Sequence, residues 1–308
     1  MSENEIIARL SRLFPRIGDD AAVLDDLVIT TDMLVEDVDF TRAIPIEFAA
    51  RKSLAANLSD LAAMGATPAY AVVALGAPPY LDVEAFMSAM AAAARDHKIE
   101  IVGGDLSRAE KIIVSITAVG RAKRPLLRSG ARAGDRIYVS RPLGAARAGL
   151  ELLKRGWSLE PPPDLPYGQR EFAAAVIRRH IDPEPEVALG IALASIAEVT
   201  ACIDISDGLS TDLNHLCEAS GVGAEIERER IPAFPDLRSA GPLLGIDVRN
   251  AVLHGGEEFA LLFTASLRES ELSARVGRPV YAIGRVVKEK GMRLDGESLL
   301  PGGFDHFA

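Results

Sequence analysis

Asn57-Leu58-Ser59-Asp60-Leu61-Ala62-Ala63-Met64-Gly65-Ala66 closes an Ala- and Leu-rich stretch, residues 46–64. That stretch predicts a helix ending at Gly65, with Pro68 beyond it. Asp60 stands inside the helix among Leu58, Leu61 and Ala62. Asp is a middling helix former, and a solvated face is its ordinary explanation. Asn57, three residues earlier, shares its face. Outward from this run, more aspartates stand where apolar stretches give way to turns or helices. They occur in Ile17-Gly18-Asp19-Asp20, Thr30-Thr31-Asp32, Gly103-Gly104-Asp105 and Ile203-Asp204-Ile205-Ser206-Asp207-Gly208. Asp is depleted from strands, and gathered carboxylates repel unless a cation lies among them. The pattern predicts divalent metal on oxygen ligands, serving a phosphorylated substrate.

Each motif also has a plainer reading. Gly103-Gly104-Asp105 follows an apolar strand; bare glycines admit phosphate to the backbone N–H groups, but a tight turn with a polar tip fits equally. Thr30-Thr31-Asp32 closes a strand as metal ligands or as an N-cap. Asp204 and Ser206 point to one side of a strand, and Ser206 or Asp207 caps the helix that follows, which explains one aspartate but not both. His254-Gly255-Gly256-Glu257-Glu258 enters a strand, with Glu257 placed for a ligand or on a solvated edge.

A chain of 308 residues accommodates two domains, and 48% hydrophobic residues exclude general disorder. The net charge of −10 argues against a nucleic-acid partner. An acidic protein that handles anions needs metals or local Arg and Lys. Cys202 and Cys217 are too few for a disulfide framework or a Cys-rich zinc site, and read as buried thiols. The first fourteen residues lack the apolar core of a signal peptide, and the apolar run 187–197 is too short to span a bilayer. A soluble, cytoplasmic protein without a membrane partner is expected.

Helices are predicted over residues 3–14, 46–64, 83–97, 145–154, 172–180, 186–197 and 209–220. Strands are predicted over 21–24, 27–31, 70–75, 99–102, 112–119, 136–140, 200–204, 224–226, 258–264 and 280–287. Their irregular alternation indicates an α+β protein. The basic segment 121–133, with Pro125 and Gly130, reads as a crossing between domains 1–133 and 134–308. No P-loop, Gly-x-Gly-x-x-Gly, kinase His-Arg-Asp loop or Gly-x-Ser-x-Gly elbow occurs. The histidines, among them His180, His215 and His254, do not stand at metal-ligand spacing.

In this order, the segments resemble the thiamine-monophosphate kinase family of the aminoimidazole-ribonucleotide-synthetase-like superfamily. The resemblance runs from Ile17 to Gly302-Gly303-Phe304-Asp305-His306-Phe307 and includes the ten residues quoted first, Arg128-Ser129-Gly130-Ala131, and Leu253 to Glu258. It implies transfer of the ATP γ-phosphoryl group to thiamine monophosphate with several Mg²⁺ ions. It implies magnesium ligands at Asp20, Thr30, Thr31, Asp32, Asp60, Asp105, Asp204 and Asp207. It implies nucleotide contacts at Gly104, Arg128 and Ser206, and thiamine monophosphate contacts at Asp39, Glu257 and Phe304. The family often has His at the position of Asp39, and Asp19 only shapes its turn. The implied fold is two α+β domains: an N-terminal metal- and ATP-binding half whose mixed sheet closes a β-barrel across a homodimer, and a C-terminal half completing the site. No catalytic residue is implied, because a phosphate monoester is already mostly deprotonated at neutral pH.

Other superfamily members fit less well. A selenophosphate synthetase calls for a reactive Cys near the N-terminus, and the hydrogenase-maturation relative ends in one. The tail argues against the purine-pathway synthetase, and a catalytically silent nucleotide-binding regulator would not retain the acidic set.

Overall fold

The computed structural model describes residues 3–10, 12–14 and 17–304. The first half runs α1 (Glu3–Leu10), β1 (Ala22–Leu24), β2 (Leu27–Val35), α2 (Ile46–Ala63), β3 (Thr67–Ala77), α3 (Val83–Asp96), β4 (Glu100–Arg108) and β5 (Ile113–Arg121). Its sheet has the order β1-β2-β5-β3-β4, antiparallel except where β4 returns through α3 to lie parallel to β3. Alternation sets its two faces. Val28, Thr30 and Leu34 of β2, and Val114, Ile116 and Ala118 of β5, are buried beneath α2. Met33, Tyr70, Val72 and Val102 are exposed.

The second half runs β6 (Arg136–Val139), α4 (Ala145–Lys154), α5 (Tyr167–Ile181), α6 (Val187–Ala194), β7 (Val199–Asp204), α7 (Leu209–Ser220), β8 (Gly223–Ile226), α8 (Leu237–Ala240), α9 (Val248–His254), β9 (Leu261–Ala265), α10 (Glu269–Val276), β10 (Tyr281–Val287), β11 (Gly291–Leu294) and β12 (Glu297–Leu299). Its sheet has the order β12-β11-β8-β10-β6-β9-β7, antiparallel except for β8 and β11. The mixed sheets agree with the expected α+β class. Among the described residues, no helix is long and apolar enough to cross a membrane.

Helix α2 joins the halves. It packs on β2 and β5 on one side and on α6 and β7 on the other. Residues all around it are therefore buried, including Lys52, Ser53, Asn57 and Ser59. Its polar groups find local partners: Ser53 Oγ donates to Ala49 O at 2.7 Å and Asn57 Nδ2 to Ser53 O at 3.1 Å.

Several predicted boundaries differ. Thr30-Thr31-Asp32 lies in the middle of β2, and Gly103-Gly104-Asp105 lies inside β4. Gly104 must be bare because a Cβ there would meet Val73 O at 1.9 Å. Pro68 lies within β3, at a bulge in its pairing with β5. Residues 258–260 are not strand, since Glu257 (φ 59°) and Phe259 (φ 46°) adopt left-handed backbone before β9 begins. Helix α1 is shorter than predicted.

A Cβ at Gly190 would stand 2.0 Å from Ala62 O, where α6 crosses α2. Gly190→Ala is expected to destabilise the protein by about 2 kcal/mol. Urea denaturation will measure this as a lowered midpoint with unchanged slope.

Candidate active site

Asp20, Asp60 and Asp204 each bring a carboxylate oxygen within 4.8 Å of the others. They come from the turn before β1, from α2 and from the end of β7. Thr30, on the α2 face of β2, donates to Asp60 Oδ2. Ser59 Oγ donates to Asp204 Oδ2 at 2.6 Å across the seam between the halves. Asp32 joins from the same face as Thr30, its backbone N–H reaching Asn57 Oδ1 at 3.3 Å. Arg128 donates to Asp20 Oδ1 through Nη2 at 2.7 Å and Nε at 3.1 Å. Asp19 holds that arginine's backbone, accepting from Arg128 N at 2.8 Å.

Burial pushes all four carboxyls up. Asp204 rises to about 8 through burial and the charge of Asp20. Asp32 rises to about 6 through burial and the charges of Asp39 and Asp20. Asp60 is held well above its usual range by burial and then by Asp32, Asp204 and Asp20. Asp20 is raised by burial despite Arg128, and its buried Oδ2 has no hydrogen-bond partner among the described residues. An all-oxygen, crowded and under-satisfied set of this kind fits a hard divalent cation such as Mg²⁺.

The other expected metal-ligand positions do not meet this group. Thr31 projects to the open face of β2, donating to Ile116 O at 3.1 Å. Asp32, Ile116, Val73 and Gly104 lie in one register across β2, β5, β3 and β4. Three strand steps place Asp105 roughly 14 Å from Asp32. Asp105 is exposed on the edge strand and accepts from Ser107 Oγ at 3.0 Å. Asp207 pairs instead with Asp212 and His215, whose ligand atoms lie within 4.8 Å of one another. The structure thus gives His215 the acidic company that sequence spacing did not show. Buried Asp212 was missed because an Asp in a first helical turn reads as ordinary; its Oδ2 accepts from Gly208 N at 2.9 Å and Asp207 N at 3.2 Å.

The segment containing Glu257 lies along the Asp204–Asp207 loop. Glu257 N donates to Ser206 O at 2.7 Å, and Phe259 N to Ile205 O at 2.9 Å. Glu258 turns inward and caps α4, accepting from Gly144 N at 2.8 Å and Ala146 N at 3.0 Å, with its carboxyl pushed up to about 7 by burial. Glu257 turns to the seam, where Lys52 Nζ meets it at 2.5 Å and His180 Nδ1 lies at 3.3 Å. Lys52 also donates to Asp39 O at 3.0 Å, and Asp39 Oδ2 accepts from Val35 N at 2.7 Å. Nothing in the sequence marks Lys52 as buried, since a lysine in an Ala-rich helix reads as solvated. Phe304 is exposed, and its N–H reaches Asp207 O at 3.2 Å. Gly302 and Gly303 are tied to Ser210 and Thr211 of α7. Asp305, His306 and Phe307 lie outside the described residues.

Asp204 takes up a proton on folding between its unfolded value of 3.8 and its folded value of about 8, and the other three carboxyls shift in the same direction. Stability without metal must therefore fall as pH rises through that window. Calorimetry is expected to show Mg²⁺ raising Tm far more at about pH 8 than at about pH 5. Asp204→Asn, which retains the acceptor for Ser59, is expected to raise the metal-free Tm at about pH 8 by a few degrees and to weaken the Mg²⁺ response.

Residues 18–122 match AIR synthase related protein, N-terminal domain, and residues 132–297 match AIR synthase related protein, C-terminal domain. The thiamine-monophosphate kinase of Aquifex aeolicus (strain VF5) is 36% identical over 298 residues, covering 94% of this chain and 92% of that protein. That of Salmonella typhimurium (strain LT2) is 36% identical over 314 residues, covering 95% and 91%. The solved structure of AaThiL complexed with AMPPCP and TMP superposes with a TM-score of 0.89 at 34% identity, covering 99% of this chain and 97% of that one. Full-length similarity in sequence and in fold leads to one conclusion: this chain belongs to the thiamine-monophosphate kinase family, built from the two AIR synthase related domains.

Proposed function

We propose that this chain transfers the γ-phosphoryl group of ATP to thiamine monophosphate, giving thiamine diphosphate and ADP. The observation that carries the reading is the convergence of Asp20, Asp60 and Asp204 from both halves, with a buried unsatisfied carboxylate oxygen beside Arg128. AaThiL, which shares the fold, holds AMPPCP and TMP. In this reading Asp20, Thr30, Thr31, Asp32, Asp60, Asp105, Asp204 and Asp207 hold Mg²⁺. Gly104, Arg128 and Ser206 meet the nucleotide, and Asp39, Glu257 and Phe304 meet thiamine monophosphate. Residues 1–133 form the metal-binding, ATP-binding and dimerisation unit, and 134–308 complete the site.

Both reacting groups are anions, so the barrier is charge repulsion and alignment. Bound Mg²⁺ supplies the charge that offsets this repulsion. The carboxylates fix where that charge sits, and Arg128, leaving Asp20, offers its guanidinium to phosphate. The acceptor oxygen needs no base at neutral pH, because its second pKa is about 6. Direct in-line transfer therefore asks no side chain to move a proton.

The homodimer also belongs to this reading. Met33, Tyr70, Val72 and Val102 leave apolar surface on the first sheet, and β4 is an open edge strand. A two-fold that closes a barrel from two such sheets would cover both. It would also bring the partner's β4 toward this chain's β2, accounting for the separation of Asp105 from Asp32.

Purified protein given ATP and Mg²⁺ is expected to form thiamine diphosphate and ADP from thiamine monophosphate, and nothing from free thiamine. No product from the monophosphate overturns the assignment, and ADP formed only with aminoimidazole precursors favours the purine-pathway reading. Asp105→Asn and Asp204→Asn should each lose about a hundredfold or more in kcat. If Asp105 acts across the dimer, co-refolding the two variants restores roughly a quarter of native activity, because mixed dimers regain one intact site. No recovery removes Asp105 from the partner's site.

A further inference from the structure

Lys52 has no place in the metal or nucleotide sets, yet it is one of the largest fully buried side chains. Its side chain is 1% exposed, and an ammonium so placed requires an ionic partner. Its partners are Glu257 Oε1 at 2.5 Å and Asp39 O at 3.0 Å. Those two residues come from opposite halves of the chain and are two of the three assigned to the acceptor. Glu257 is held in left-handed backbone at φ 59°, a conformation that persists only where its surroundings enforce it. His180 closes the other side of the carboxylate, its Nδ1 lying 3.3 Å from Glu257 Oε2 without a hydrogen bond among the described residues. Burial and the Lys52 charge keep that imidazole neutral. Among the described residues, Lys52 on α2 is therefore the buried cation that Glu257 meets.

We propose that Lys52 is a positioning residue for the phosphoryl acceptor. It locks the Glu257 carboxylate to α2 and to the Asp39 turn, so that the acceptor's hydrogen-bond donors meet a fixed and charge-balanced carboxylate. A free carboxylate there would repel the acceptor's phosphate; one paired with Lys52 accepts hydrogen bonds without that penalty. The proposal rests on the reading of Asp39 and Glu257 as acceptor contacts.

Steady-state kinetics on the full chain test it. Lys52→Met is expected to raise KM for thiamine monophosphate about ten- to a hundredfold, with kcat and KM for ATP nearly unchanged. Glu257→Gln should raise the same KM, and the double variant should be no worse than the more impaired single, because the two act as one unit. Should Lys52→Met not fold, Lys52→Gln, which keeps the reach and loses the charge, is measured in its place. Equal increases in both KM values, or additive effects in the double variant, overturn the proposal by reducing Lys52 to a packing role. An unchanged KM in the Lys52 variant beside a raised one in Glu257→Gln overturns the proposal alone. An unchanged KM in Glu257→Gln overturns the acceptor assignment and the proposal with it.

Discussion

Beyond its first turns helix α2 has no solvent face, and the arrangement of the site follows from that constraint. A helix closed in by sheet on one side and by α6 and β7 on the other must hold its polar side chains against specific partners. Ser59 therefore meets Asp204, Asp60 meets Thr30, Asn57 meets the backbone of Asp32, and Lys52 meets Glu257. In the proposed reading, one rigid element thereby sets the position of the metal-binding carboxylates and of the acceptor contacts together. About two turns of helix separate Lys52 from Asp60, a spacing that no loop movement can change.

The same burial makes the site an unfavourable part of the fold. Asp20, Asp32, Asp60 and Asp204 all have raised pKa values, because they share a space where neither water nor enough donors can satisfy them. Glu257 and Phe259 add backbone strain in the adjoining segment. A core selected only for stability would contain none of these features. Their concentration along one seam is the physical ground for the proposal that the seam binds ions.

Much of the scaffold was legible in the chain. Helices α4 and α7 match the predicted ranges 145–154 and 209–220, where apolar spacing and flanking glycines agree. The aspartates were legible as a group because so many carboxylates have no structural use. Their setting was harder to read. Asp32 and Asp105 suggested strand ends, since Asp is rare within strands, yet both lie in mid-strand. Glu257 and Glu258 are neighbours with opposite fates, one facing the seam and one capping α4, and no local pattern separates them. Contacts such as Ser59 to Asp204 join residues 145 positions apart, and only the packing of the two halves reveals them. Lys52 was invisible for the same reason.

The pairing of Arg128 with Asp20 has a consequence for how ligands arrive. Arg128 holds one oxygen of the Asp20 carboxylate, and that carboxylate is the acidic partner of its guanidinium. In the proposed reading, a phosphate that draws Arg128 away leaves Asp20 bare for a cation, and a cation on Asp20 releases Arg128 to a phosphate. Each ligand thus removes the competitor of the other. Linkage requires the effect to be reciprocal, so nucleotide tightens metal by the same factor by which metal tightens nucleotide. A single ion pair would make the two bind as a cooperative unit.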